Sequence, residues 1–381
     1  MRGSKYKLVK DGQRLPTRNV LLLATLTVSI LAIGPLAGHA TLSSSPSPYF
    51  DYVLTIILEN KGLNDTYGAH CLGNCTYITS LANIYGLAED YSDIGHPSLP
   101  NYLALTNGGN YDRPPFDKDC FPENLTSGCY ASGPNIIDSI TGSGRSWKAY
   151  FEDYKGGCSL SPRTGYYTDS HNPFVYNTDI YTNSTRCGKI VDANPGGSGF
   201  LALPTTLLSD LNSTSTASNY MWLTPNLCDD GHTLCAPLNN LVSQANQYLS
   251  ILVPRILSSK IFQQGDAALF IAWDEAGVQA GKIVTAIWAG PDAKPAYKST
   301  LPYNHYSAIK TIETAWNLQP LTVYDQAATP MTEFLHETST VGGHIIAVDR
   351  LLIILPILVW SILLLSTFLL TTRYLIIRRR A

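Results

Sequence analysis

Four apolar runs stand out along the chain, each too uniformly apolar for a strand with one wet face. They are Tyr52–Leu58 (YVLTIIL), residues 219–224 (NYMWLT), Ala267–Trp273 (AALFIAW) and residues 283–288 (IVTAIW). Runs of this kind suit strands buried on both faces, as in a parallel sheet covered by helices. Each run stops at residues of a different character. Glu59-Asn60 follows the first, Pro225-Asn226 and then Asp229-Asp230-Gly231-His232 the second, and Asp274-Glu275 the third. Ala289-Gly290-Pro291 follows the fourth, with His305 a short loop later. In open α/β sheets the ligand site lies beyond the carboxyl ends of the strands. The polar residues therefore gather where a site belongs.

Between the strands the pattern is helical in places. Pro100 suits the first turn of a helix, and the following residues continue it until Asn107-Gly108-Gly109. Residues 136–147 read as a helix followed by a strand entry, and residues 245–262 as a helix broken at Pro254. Residues 109–218, rich in Gly, Tyr, Asn, Thr and Cys, read as a long stapled excursion over the site face rather than a second core. The expectation is one α/β domain with a mostly parallel central sheet and helices on both faces.

The ends differ in kind from the middle. Six basic residues and one acidic precede residue 41, with an apolar run over 20–33 and small residues around Ala37-Gly38-His39-Ala40. This predicts a secretory signal over residues 1–40. A Ser/Pro linker over 41–48, a domain over 49–335 and a stalk over 336–350 follow. Residues 351–372 carry no charge and are long enough to span a bilayer. Arg373 and Arg378-Arg379-Arg380 put the 373–381 tail in the cytoplasm, and so the domain outside.

Composition agrees with that placement. All eight cysteines lie between Cys71 and Cys235, an even number in a presumptive exterior segment, which favours disulfides. Their spacing suggests the local pairs Cys71–Cys75, Cys120–Cys129, Cys158–Cys187 and Cys228–Cys235. No C-x2-C is present to support a zinc cluster. Asn64, Asn74, Asn124, Asn183 and Asn212 begin glycosylation sequons. Between residues 41 and 350 stand 16 basic and 28 acidic residues, a formal charge of −12. That excludes a nucleic-acid-binding surface.

The candidate chemistry centres on His96-Pro97-Ser98-Leu99-Pro100-Asn101-Tyr102. A serine at a helix start lies in the positive field of outward-pointing backbone N–H groups, which favours an anion. It is expected to stand exposed there. Asn101, one turn on, offers an amide donor for a developing oxyanion. Asp229 reads as an exposed neighbour of Asp230.

Glu59-Asn60, the Ser98 segment, Asp230-Gly231-His232, Trp273-Asp274-Glu275 and Asn304-His305-Tyr306 occur in the order seen in the phosphoesterase family, which includes acid phosphatases and phospholipases C of the alkaline-phosphatase-like superfamily. The resemblance runs from about Tyr52 to Trp316. Ser98-Leu99-Pro100-Asn101 also resembles the nucleophile segment of nucleotide pyrophosphatase/phosphodiesterases. It implies Ser98 as nucleophile, forming a phosphoserine, and Glu59, Asn60, Asp274, Glu275 and Ser98 as ligands of a divalent metal. Carboxylates and an amide oxygen suit Mg, Ca or Mn, whereas Zn more often recruits imidazole. Asp230, His232, His305 and His96 form a second tier, which either completes a second metal position or binds phosphate and protonates the leaving group. A sulfatase is disfavoured, because no Arg follows Pro100 at the spacing that branch uses. Phosphomonoester and phosphodiester or phospholipase C substrates are both compatible with the sequence. So are two non-enzymatic readings, a cell-surface glycoprotein and a phosphate- or cation-binding protein without catalysis. The implied partners are a phosphate ester and, through residues 351–372, a membrane.

Overall fold

The computed structural model describes residues 47–122, 128–158, 163–277 and 281–337. The predicted signal, the predicted span over 351–372 and the tail lie outside the described residues. Among the described residues no helix is long and apolar enough to cross a membrane.

The core is an eight-stranded sheet. Its strands are β1 (Tyr52–Leu58), β2 (Gly86–Ala88), β3 (Trp147–Phe151), β4 (Ile190–Asp192), β5 (Tyr220–Thr224), β6 (Ala267–Trp273), β7 (Ala286–Ala289) and β8 (Tyr297–Ser299). They lie in the order β8-β2-β7-β6-β1-β5-β3-β4. β1 is central and parallel to both neighbours, with Thr55 level with Trp222 on one side and Phe270 on the other. From Val53 onward every residue of β1 is buried, as a strand covered on both faces requires. The sheet is mixed, because β7 runs antiparallel to both β6 and β2.

That reversal corrects the reading of the fourth apolar run. Gly290, at the carboxyl end of β7, approaches the carbonyl of Ala267 at the start of β6. Ala289-Gly290-Pro291 therefore lies at the opposite end of the sheet from Asp274. Residues 136–147 fold as read, a helix over Ile136–Gly142 leading into β3 at Trp147, but the 109–218 segment as a whole departs from expectation. It supplies β3 and β4, two strands of one sheet edge, as well as loops over the site. Both are short and flanked by turn residues, which hides their period.

Four helices frame the site. They are α1 (Thr76–Ile84), α2 (Ser98–Asn107), α3 (Leu241–Leu257) and α4 (His305–Trp316). α1 and α3 pack on one another, as do α2 and α4. α3 buries Ala245, Tyr248, Leu249, Leu252 and Ile256, a stripe at helical spacing. It does not break at Pro254: the proline sits in the last turn, exposed, and its carbonyl still accepts from Ser258 N–H. The four disulfides are the local pairs that the spacing suggests.

Candidate active site

Three strand ends converge. Glu59 and Asn60 leave β1, Asp274 and Glu275 leave β6, and Asp230 sits in the loop after β5. Backbone bonds lace these ends together: Glu59 N–H donates to the Asp230 carbonyl (3.0 Å) and Asp274 N–H to the Leu58 carbonyl (2.9 Å). Asn60 adopts a left-handed conformation (φ 50°), and its N–H donates to Asp274 Oδ1 at 3.0 Å. The bend thus ties one acidic loop to the other.

Ser98 is the first residue of α2, and its hydroxyl donates to Glu59 Oε2 at 3.0 Å. It is 3% exposed rather than standing open. The Leu99 N–H beside it is taken by Asp119 Oδ1 at 2.9 Å, a partner twenty residues on that no local pattern announces. Tyr102, one turn along α2, donates its hydroxyl to Glu59 Oε1 at 2.5 Å. One helix thereby sets both oxygens of Glu59.

His171 completes the pocket and was not among the expected residues. Its ring stacks on Tyr102 (centroids 5.4 Å apart, planes 5° apart), and its Nδ1 lies 3.3 Å from Glu59 Oε1 and 3.5 Å from Asp230 Oδ2. Glu59, His171 and Asp230 each offer a ligand atom, all within 4.8 Å of one another. The one sequence signal is its type, since His171 lies in the aperiodic 109–218 segment.

The electrostatics follow from crowding. Burial, then Asp274 and Asp230, pushes the Glu59 carboxyl well above its ordinary range. Burial lifts Asp274 to about 7, and burial with Asp274, Asp119 and Asp93 lifts Glu275 to about 10. Among the described residues no lysine or arginine is ion-paired with Glu59, Asp274 or Glu275.

The chain matches the phosphoesterase family over residues 59–319, from Glu59 to beyond His305. It belongs to that family. A Kluyveromyces lactis protein named "Probable acid phosphatase" is 27% identical over 294 residues, covering 72% of this chain and 60% of its own length. A phosphatidylinositol-3-phosphatase from Mycobacterium tuberculosis is 25% identical over 319 residues, covering 82% of this chain and 91% of that protein. Among solved structures, a Vibrio parahaemolyticus protein of the alkaline phosphatase superfamily shares the fold (TM-score 0.51, 14% identity), covering 75% of this chain and 71% of that one.

In this member of the phosphoesterase family, Glu59, Asn60, Ser98, Asp230 and Asp274 come together. Glu275 stands alongside, paired with His96 Nδ1 at 2.8 Å. His232 is at the exposed rim; its N–H donates to Asp230 Oδ1 at 2.7 Å and its ring lies 5.5 Å from that of His171. Besides the buried Ser98, three side chains are placed otherwise than expected. Asn101 is turned onto its own loop: its Nδ2 donates to the Gly95 carbonyl (2.8 Å) and its Oδ1 accepts from Ile94 N–H (2.8 Å), so it clips the approach to Ser98 instead of offering an oxyanion donor. His305 is fully buried behind Asp274. Its Nε2 faces the Asp274 carbonyl, which can only accept, so Nδ1 accepts from the Tyr91 hydroxyl at 2.9 Å. Burial lowers its pKa to about 4. Asp229 is buried, not exposed, and accepts from Leu201 N–H at 2.8 Å.

The residues present fit a divalent cation. Among the described residues Asn60 Oδ1 and Asp274 Oδ2 are buried oxygens without a hydrogen-bond partner, beside the Glu59 and Glu275 carboxyls, with which no described lysine or arginine is paired. Oxygens so placed suit a hard cation, and His171 adds one imidazole.

Proposed function

We propose that the protein hydrolyses phosphate esters through a phosphoserine at Ser98, as an acid-phosphatase-like enzyme. The observation that carries this reading is the Ser98 hydroxyl held at a helix start, 3.0 Å from Glu59 Oε2, inside a pocket of converging carboxylates. Glu59, Asn60, Asp230, Asp274 and His171 would hold one or two divalent ions, with Glu275 at the margin. When bound, such an ion lowers the hydroxyl's pKa and neutralises phosphate charge.

The chain's own groups then divide the work. Glu59 Oε2 receives the Ser98 proton as Oγ bonds to phosphorus and the ester P–O bond breaks. His232 or His96, both open to solvent at the rim, protonates the departing alkoxide. Water, giving a proton to that histidine, then attacks the phosphoserine, and Glu59 returns its proton to Ser98 Oγ as the Oγ–P bond breaks and phosphate leaves. Asn101 and His305 contribute by position: one fixes the loop before Ser98, the other the carbonyl of Asp274.

The relatives' names support a phosphate monoester as substrate, and we place the domain outside the cell on the strength of the disulfides and the predicted span over 351–372. The test is a panel of mono-, di- and phospholipid esters assayed before chelation, after it, and after metal add-back. Turnover of monoesters that chelation removes and add-back restores is the expected result. Turnover indifferent to chelation would overturn the metal assignment. Binding of phosphate without turnover of any ester would favour the non-catalytic reading.

A further inference from the structure

Behind the loop that carries Asp230 lies a buried hub that the chemistry above does not use. Glu152 is the residue after β3 and is 1% exposed. Its Oε2 accepts from both the backbone N–H (3.0 Å) and the side-chain amide (3.1 Å) of Asn226, and its Oε1 accepts from the Tyr248 hydroxyl (2.8 Å). Asn226 passes the constraint forward. Its Oδ1 accepts from Cys228 N–H (2.9 Å), and its carbonyl from the N–H groups of Asp229 and Asp230 (both 2.9 Å). Gly231, at φ 86°, presses this turn against the start of α3, where an added Cβ would lie 3.0 Å from the Leu241 carbonyl. The turn cannot shift toward that helix.

We propose that Glu152 is a positioning residue for catalysis: by accepting from the backbone N–H and from the side-chain amide of Asn226 it sets the turn over 226–232, and with it the reach of Asp230 into the pocket. The inference rests on the phosphoesterase reading. Removing the Glu152 carboxyl leaves the buried Asn226 N–H without its acceptor, while Asn226 Nδ2 keeps the Gly199 carbonyl (3.0 Å) and Asp229 Oδ2 (3.2 Å). A buried donor without an acceptor is costly, so the turn rotates toward the partners that remain. A displacement of about 1 Å at a reaction centre costs on the order of a hundredfold in rate.

The experiment compares full-length Glu152→Ala, Glu152→Gln and Tyr248→Phe with wild type. It measures kcat and KM on p-nitrophenyl phosphate and the rise in thermal midpoint that Mn2+ gives the chelated protein. Glu152→Ala should lower kcat about tenfold or more with little change in KM, and shrink the Mn2+-induced rise. Glu152→Gln, which keeps a carbonyl acceptor, should recover most of both. Tyr248→Phe should shift kcat in the same direction by less. A Glu152→Ala protein that melts earlier but keeps wild-type kcat and Mn2+ response would overturn the proposal, as would Glu152→Gln as impaired as Glu152→Ala. If Glu152→Ala does not fold, a wild-type kcat in Tyr248→Phe overturns it and a lowered kcat at constant KM supports it. A wild-type protein that hydrolyses no phosphate ester would instead overturn the phosphoesterase reading itself.

Discussion

His305 gives both ring nitrogens to the interior, Nε2–H to the Asp274 carbonyl and Nδ1 to the Tyr91 hydroxyl. Its pKa falls from the ordinary 6.5 to about 4 because burial penalises the cation. Between those values the unfolded chain binds more protons than the folded one. The stability that the neutral ring supplies is therefore full above about 6.5 and lost as the pH falls toward 4. The thermal midpoint of wild type should drop over that window more steeply than that of His305→Gln, whose amide reproduces both bonds without titrating; parallel profiles would contradict this. The carboxylates act in the opposite sense. Asp274 at about 7 and Glu275 at about 10 hold protons that a cation must displace. Mn2+ affinity of the chelated protein should accordingly rise as the pH goes from about 5 to about 8, read as the midpoint shift at fixed Mn2+. A flat affinity would contradict the ligand assignment. At this scale Glu59, Asn60, Ser98 and Asp274 were legible because each follows an apolar run or opens a helix. Asn101 and His305 were legible in type but not in use, since their partners, loop backbone groups and the Tyr91 hydroxyl, are brought to them only by the fold. His171 reaches the site through tertiary contacts, stacking on Tyr102 and facing Glu59 and Asp230, which have no local signature.

α3 shows how an element can override a sequence signal. A proline is expected to end a helix because it lacks the N–H and crowds the carbonyl four residues back. Here the buried stripe from Ala245 to Ile256 carries the helix through Pro254 to Leu257. Packing outweighs the local penalty. Pro254→Ala, at an exposed position, should therefore stabilise the protein by about 1–3 kcal/mol and raise the thermal midpoint by several degrees, with turnover unchanged. A lowered midpoint would mean that the proline is not strained there. The strands divide similarly. β1, β5 and β6 were readable because both faces are apolar throughout. β7 was readable as a strand but not in direction, which depends on its pairing with β6 and β2. β3 was readable at its entry, Trp147, but not over its length, and β4 hid within polar surroundings, so the sheet edge that carries Glu152 was only partly legible.

At the scale of the whole molecule, the described fold ends shortly after its last strand bridge. The last described pairing joins Leu335 to Ala293, and no site residue follows His305. A protein truncated after Gly343 should therefore keep wild-type kcat and, if the 351–372 reading is right, leave the membrane fraction. Loss of activity on truncation would show that the end contributes to the domain. The alternation of buried strands and polar strand ends made the α/β class and the site's location legible along nearly the whole domain; the cross-chain hubs at Asp119, His171 and Asn226 emerge only once the chain is folded. The most direct test of the account is the acid-quenched turnover of Ser98→Ala beside wild type, with phosphate on the Ser98 peptide measured by mass spectrometry. The account predicts phosphate on Ser98 in wild type, none in Ser98→Ala, and a fall in turnover of several orders of magnitude with an unchanged thermal midpoint. A folded Ser98→Ala protein that retains wild-type turnover would contradict it.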